Sequence, residues 1–122
     1  MAKKILVIDD EPDILLMVQS RLRANGFQVA TAGDGENALG KIKTEIPDLI
    51  LLDIVMPKMD GFAVLSKLKA DAQTKKIPVI MFSAKGQTVD VSRALSLGAS
   101  DYILKPFEPK QLLEKMNKAL AA

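Results

Sequence analysis

The chain of 122 residues is 48 % apolar and 26 % charged, the balance of one globular domain with its own core and not of a disordered segment. It holds no cysteine and no histidine, which excludes disulfides, thiolate nucleophiles, the usual zinc sites and any triad with an internal imidazole base. With 17 basic residues against 15 acidic, a net charge of +2, one Tyr, four Phe and no Trp, it carries no footprint for direct nucleic-acid binding.

Met1-Ala2-Lys3-Lys4 leads straight into an apolar run with no signal-peptide pattern. No run approaches the roughly 20 apolar residues that cross a bilayer, so a cytoplasmic protein without membrane contact is expected. Ile5-Leu6-Val7-Ile8 reads as a strand and ends at Asp9-Asp10. Pro12 suits a first helical turn, and Ile14, Leu15, Val18 and Leu22 follow at helical spacing until Asn25-Gly26. Phe27 to Ala32 is a weaker strand. Glu36 to Glu45 is a helix with Ala38, Leu39 and Ile42 on one stripe and Pro47 just beyond its end. Leu49-Ile50-Leu51-Leu52 is a strong strand that ends at Asp53, and Gly61 to Lys69 is a helix carrying Phe62, Leu65 and Leu68. Val79-Ile80-Met81-Phe82 ends at Ser83. Val89 to Leu97 is a helix with Val91, Ala94, Leu95 and Leu97 inward, closed by Gly98. Tyr102-Ile103-Leu104 ends at Lys105, and Pro109 to Ala121 is a last helix carrying Leu112, Leu113, Met116 and Leu120.

Unbroken apolar runs without alternation mark strands buried on both faces, as in a parallel sheet. Five of them alternating with helices predict an α/β sandwich of flavodoxin-like (βα)5 type, with strand order 2-1-3-4-5. In such a sheet every strand ends on one edge, where ligands bind. Asp9, Asp10, Asp53, Ser83 and Lys105 should therefore converge there. Three close carboxylates repel one another, and one lysine cannot balance them. A hard divalent cation with oxygen ligands can, and Mg²⁺ beside a hydroxyl and an ammonium suits a phosphoryl group. In that chemistry an Asp oxygen is the nucleophile.

Each residue also has an ordinary explanation. Asp9-Asp10 could favour the start of the following helix by about 0.3–1 kcal/mol. Ser83 could be a loop hydroxyl, Lys105 a solvated surface charge, Lys75-Lys76 a solvated loop, and Met56 and Met59 plain packing. Asp53 resists such a reading, because a carboxylate after four apolar residues is expensive without a partner. Four strand ends with complementary groups make coincidence a poor account.

Val7-Ile8-Asp9-Asp10-Glu11, Leu51-Leu52-Asp53-Ile54, Met56-Pro57-Lys58-Met59-Asp60-Gly61, Phe82-Ser83-Ala84, Gly98-Ala99 and Asp101-Tyr102-Ile103-Leu104-Lys105-Pro106-Phe107 together resemble the receiver domain of two-component response regulators. The resemblance runs from Lys4 to the last helix and is similar in extent to stand-alone chemotaxis-type regulators. With Leu120-Ala121-Ala122 closing a helix, one receiver domain over 1–122 with no output domain is expected. The resemblance implies that Asp53 accepts a phosphoryl group from the phosphohistidine of a sensor histidine kinase or a histidine phosphotransfer protein. Asp10, Asp53 and the main-chain carbonyl of Val55 would hold Mg²⁺, with Asp9 acting through a bound water. Lys105 would contact the phosphoryl group and, at rest, Asp53. Ser83 would swing to it and Tyr102 would turn inward behind it. The bond before Pro106 would be cis. A downstream effector, or a second copy in a weak phosphorylation-dependent dimer, would read the helix from Val89 to Leu97, the strand at Tyr102–Leu104 and the last helix. Motility or chemotaxis is one output of such a switch. Val55 offers no side chain to orient a hydrolytic water and Lys85 could pair with phosphoryl oxygens, which favours a long-lived phosphorylated state.

Other readings stay open on residues alone. A haloacid-dehalogenase-type phosphatase also uses an Asp nucleophile and Mg²⁺, but wants a second Asp where Val55 stands. A flavodoxin proper wants a phosphate-cradling loop where Asp9-Asp10-Glu11 would repel phosphate. A degenerate receiver acting as a constitutive interaction module would not need the acidic set, the serine and the lysine intact.

Overall fold

The computed structural model describes residues 2–83, 88–105 and 107–121, with backbone alone at 83 and 88–90. The chain alternates β1 (Lys4–Ile8), α1 (Pro12–Ala24), β2 (Gln28–Ala32), α2 (Gly35–Glu45), β3 (Leu49–Asp53), α3 (Gly61–Ala70), β4 (Val79–Ser83), α4 (Thr88–Ser96), β5 (Asp101–Leu104) and α5 (Pro109–Ala121). All strands pair in parallel, in the order β2-β1-β3-β4-β5. Fold class and strand order are those the apolar runs predict.

Alternation along each strand divides the core in two. Ile5 and Val7, Leu49 and Leu51, and Ile80 and Phe82 pack with Val18 and Leu22 of α1 and Leu112 and Met116 of α5. Leu6 and Ile8, Ile50 and Leu52, and Val79 and Met81 pack with α2, α3 and Ala94 of α4. Both faces are covered, which is why the central strands carry no polar residue before their ends. Met56 and Met59 join the second of these layers, as expected of packing residues. Leu95 does not: it is 46 % exposed. Ala94, also expected inward, is buried in that layer, and Leu97 packs against it.

The helix starts are chemically defined. Asp34 Oδ1 accepts from Asn37 N at 2.7 Å, and Asp60 Oδ1 accepts from Ala63 N at 2.9 Å. Helix α1 has no side-chain cap at Glu11; Pro12 opens it, and Asp9 Oδ1 accepts from Glu11 N at 2.9 Å. The last element before β3 is less regular. Ile46 caps α2 in the left-handed region, with φ 46° and ψ 66°.

Candidate functional site: an acidic cluster at the sheet edge

Strand register builds the site. In the β1–β3 ladder Ile8 faces Leu52, so one rung further on Asp9 falls level with Asp53. Asp53 pairs with Phe82, and Ser83 pairs with Leu104, the residue before Lys105. The polar residues that close β1, β3, β4 and β5 therefore share one edge.

Asp9, Asp10 and Asp53 each bring a carboxylate oxygen within 4.8 Å of the others. Their environments differ. Asp9 is fully buried and Asp53 is 4 % exposed, whereas Asp10 faces solvent. Lys105 Nζ donates to Asp9 Oδ2 at 2.7 Å and lies 3.4 Å from Asp53 Oδ1. The expected Lys105–Asp53 contact is thus an ion pair without a hydrogen bond, and the tighter partner is Asp9. Both Asp9 oxygens are engaged, one by Lys105 and one by Glu11 N.

Charge is left over. Burial, then the Asp9 charge, raise the Asp53 carboxyl to about 6, and Lys105 offsets this only in part. Burial pulls Lys105 down, but its hydrogen bond to Asp9 and the Asp53 and Asp9 charges outweigh that and raise it. An oxygen-only donor set with uncompensated negative charge suits a hard divalent cation such as Mg²⁺, so these residues fit that ion.

The backbone around Asp53 is packed as closely as chemistry allows. Gly61 N donates to Ile54 O at 2.8 Å, and a Cβ on Gly61 would lie 2.2 Å from the Asp53 carbonyl oxygen. Only glycine lets α3 start against β3 there. Lys58 holds φ 69° in the connecting loop, and Val55 is 74 % exposed beside it. On the other side, Phe107 stacks on Phe82 with centroids 5.4 Å apart, next to Lys105.

Tyr102 is half-buried and packs against the layer under α3 and α4. Lys115 of α5 lies 4.7 Å from its ring centroid, donates to Tyr102 O at 2.8 Å and pairs with Asp101 at 3.0 Å. Arg93 of α4 sits 4.3 Å over the Phe62 ring. Sequence reading missed both cationic contacts, for which the residues alone gave no signal. The side chain of Ser83, and the expectations for Lys85 and Pro106, lie outside the described residues. No helix among the described residues is long and apolar enough to cross a membrane.

Residues 5–117 match the family model for the response regulator receiver domain. The chain is 44 % identical over 120 residues to the alkaline phosphatase synthesis transcriptional regulatory protein PhoP of Bacillus subtilis, covering 98 % of this chain and 49 % of that protein. It is 42 % identical over 120 residues to the DNA-binding response regulator MtrA of Mycolicibacterium smegmatis, covering 98 % of this chain and 51 % of that one. Among solved structures it is similar to the Vibrio cholerae chemotaxis protein CheY4, with TM-score 0.93 and 31 % identity over 98 % of this chain and 99 % of that one. The chain spans about half the length of the curated relatives it matches. One of these two relatives is a transcriptional regulatory protein and the other a DNA-binding response regulator, so the expectation of no nucleic-acid contact has no support among them, and neither does a chemotactic output. With its sheet order, its acidic edge and these matches, the chain belongs to the response regulator receiver domain family.

Proposed function

We propose that this receiver domain is a cytoplasmic phosphorylation switch whose acceptor is Asp53. The observation that carries the reading is the acidic cluster: three carboxylates within 4.8 Å, with Lys105 paired to two of them. An Asp53 oxygen attacks the phosphorus of a partner's phosphohistidine. The new O–P bond forms as the P–N bond breaks, and the departing imidazole nitrogen keeps the electron pair and takes a proton from solvent. Bound Mg²⁺ would supply charge neutralisation of the phosphoryl oxygens. Asp10, Asp53 and the Val55 carbonyl are its proposed ligands, and Asp9, whose oxygens are already engaged, acts through water.

Lys105 lies within reach of the Asp53 carboxylate and is free to follow added negative charge from Asp9 toward the phosphoryl group. Ser83, at the end of the adjacent strand, and Tyr102 respond to that charge and raise the population of an active arrangement of α4, β5 and α5. A histidine kinase or phosphotransfer protein loads the domain, and an effector or a second copy reads that face. The phosphatase alternative is disfavoured, since position 55 presents an exposed isopropyl group instead of a second carboxylate.

Acetyl phosphate labelling tests this. Wild type takes up phosphoryl groups only with Mg²⁺, and Asp53→Asn takes up none while keeping its fold. Labelled Asp53→Asn, or wild type inert to both acetyl phosphate and beryllofluoride, removes the assignment in favour of a constitutive interaction module.

A further inference from the structure

The opposite edge of the sheet carries a feature that phosphorylation chemistry does not use. Between the C-terminal ends of α2 and α3 runs a groove of about 430 Å³, floored by Ile42 and Ile77 and walled by Ile46 and Thr74. It continues into a second groove of about 260 Å³ over Leu39 and Leu68. Both lie where β3 and β4 begin, a strand length from the acidic cluster, or about 16 Å for five residues.

Two observations suggest an occupant. Ile46 is 71 % exposed and holds φ 46°. A β-branched residue in the left-handed region is a genuine outlier, and glycine is the unstrained choice at this cap position. The strain presents a large apolar side chain to solvent at the mouth of a groove whose three isoleucines are joined by Lys43, Gln73 and Thr74. The rim, meanwhile, is cationic. Lys43 and Lys67 line the two grooves, and Lys75 and Lys76 are exposed on the loop that closes them. None of the four takes part in an ion pair among the described residues. Asp71, the acid of the lining, already accepts from Gln73 N at 2.9 Å. Lys43 and Lys67 also complement their helix dipoles, but this explains neither Ile46 nor the loop lysines.

We infer that this groove docks an acidic amphipathic helix of a partner protein, its apolar stripe over Ile46, Ile42 and Ile77 and its carboxylates on the lysines. Helix-in-groove recognition uses this division of labour, with apolar anchors for affinity and charge for steering. An anionic membrane fits less well, because most of the apolar surface is recessed and a single side chain protrudes.

The test uses a fluorescein-labelled synthetic helix of about 16 residues, with leucines at helical spacing and glutamates elsewhere. A control of the same composition has its leucines scattered round the helix. Saturable binding to the wild-type chain is expected, weaker by about tenfold in Ile46→Gly and in the double variant Lys43→Glu/Lys67→Glu. Ile46→Gly relieves the backbone at that position, so its melting temperature should not fall and lost binding cannot be lost fold. Asp53→Asn should bind as wild type does, which separates this inference from the phosphorylation reading. An unbound patterned helix, equal binding of the scattered control, undiminished binding by Ile46→Gly, or preference for phosphatidylglycerol vesicles over the helix overturns it.

Discussion

Asp53 has a carboxyl raised from 3.8 to about 6, by burial first and by the Asp9 charge second. Between those two values the folded chain holds more protons at this site than the unfolded chain does. Its contribution to stability therefore falls as pH rises from about 4 through 6, and the full penalty applies above that. The span of about two pH units corresponds to a penalty on the order of 2–3 kcal/mol without metal. Asp53→Asn should then stabilise the metal-free domain by on the order of 2 kcal/mol at pH 7.5, with the gain shrinking toward zero near pH 4; urea titrations at several pH values read this directly. Equal stability of the two proteins at pH 7.5 contradicts the electrostatic account of the site. Lys105 shifts in the same direction, so the same sign applies, but in the alkaline range. Its raised value means that its contribution is intact at neutral pH and is lost only as pH rises through its elevated alkaline range. Lys105→Met strands the buried Asp9 charge, and unfolding should become easier by about 2–4 kcal/mol at pH 7.

At the scale of elements, the junction between β3 and α3 is the least forgiving. Gly61→Ala drives a methyl group into the Asp53 carbonyl and the Ile54 backbone, neither of which can yield as a side-chain tip would. Destabilisation of more than about 2 kcal/mol is expected, with labelling of Asp53 impaired as β3 shifts. Gly40→Ala lies in the exposed middle of α2 with nothing within 4 Å of the new methyl, and should stabilise by about 0.5–1 kcal/mol. Comparing the two by denaturant unfolding separates close approach from helix propensity. Much of this scale was legible in the residues. Unbroken runs such as Leu49–Leu52 announce strands covered on both faces, and the helix from Pro109 to Ala121 is bounded as its stripe predicts. The polar ends of four of the five runs pointed to one edge, because a polar group after apolar residues in a parallel strand has one edge to go to. Leu95 was misplaced because a short amphipathic helix leaves its neighbouring residues equally plausible as the inward one. The Lys115–Tyr102 and Arg93–Phe62 contacts were invisible for a different reason: they depend on how α5 and α4 lie on the sheet, which periodicity does not encode.

For the molecule as a whole, a divalent ion at the acidic edge should act as a ligand of the native state alone. Mg²⁺ at 100 times its dissociation constant would stabilise the fold by about 2.7 kcal/mol. Thermal melts with and without Mg²⁺ should therefore diverge for the wild type and converge for Asp10→Asn, whose exposed carboxylate is lost without disturbing the buried pair. A magnesium-insensitive wild type contradicts the proposed cation site.

The contact between Lys105 and Asp9 joins residues 96 positions apart, across strands separated by two others in the sheet. Neither partner finds the other until the central strands have been laid between them. A polypeptide emerging from the ribosome with its final strand still unmade would hold the aspartates but not the ammonium that organises them. The proposed phosphoryl site is thus complete only once the last strand has joined the sheet.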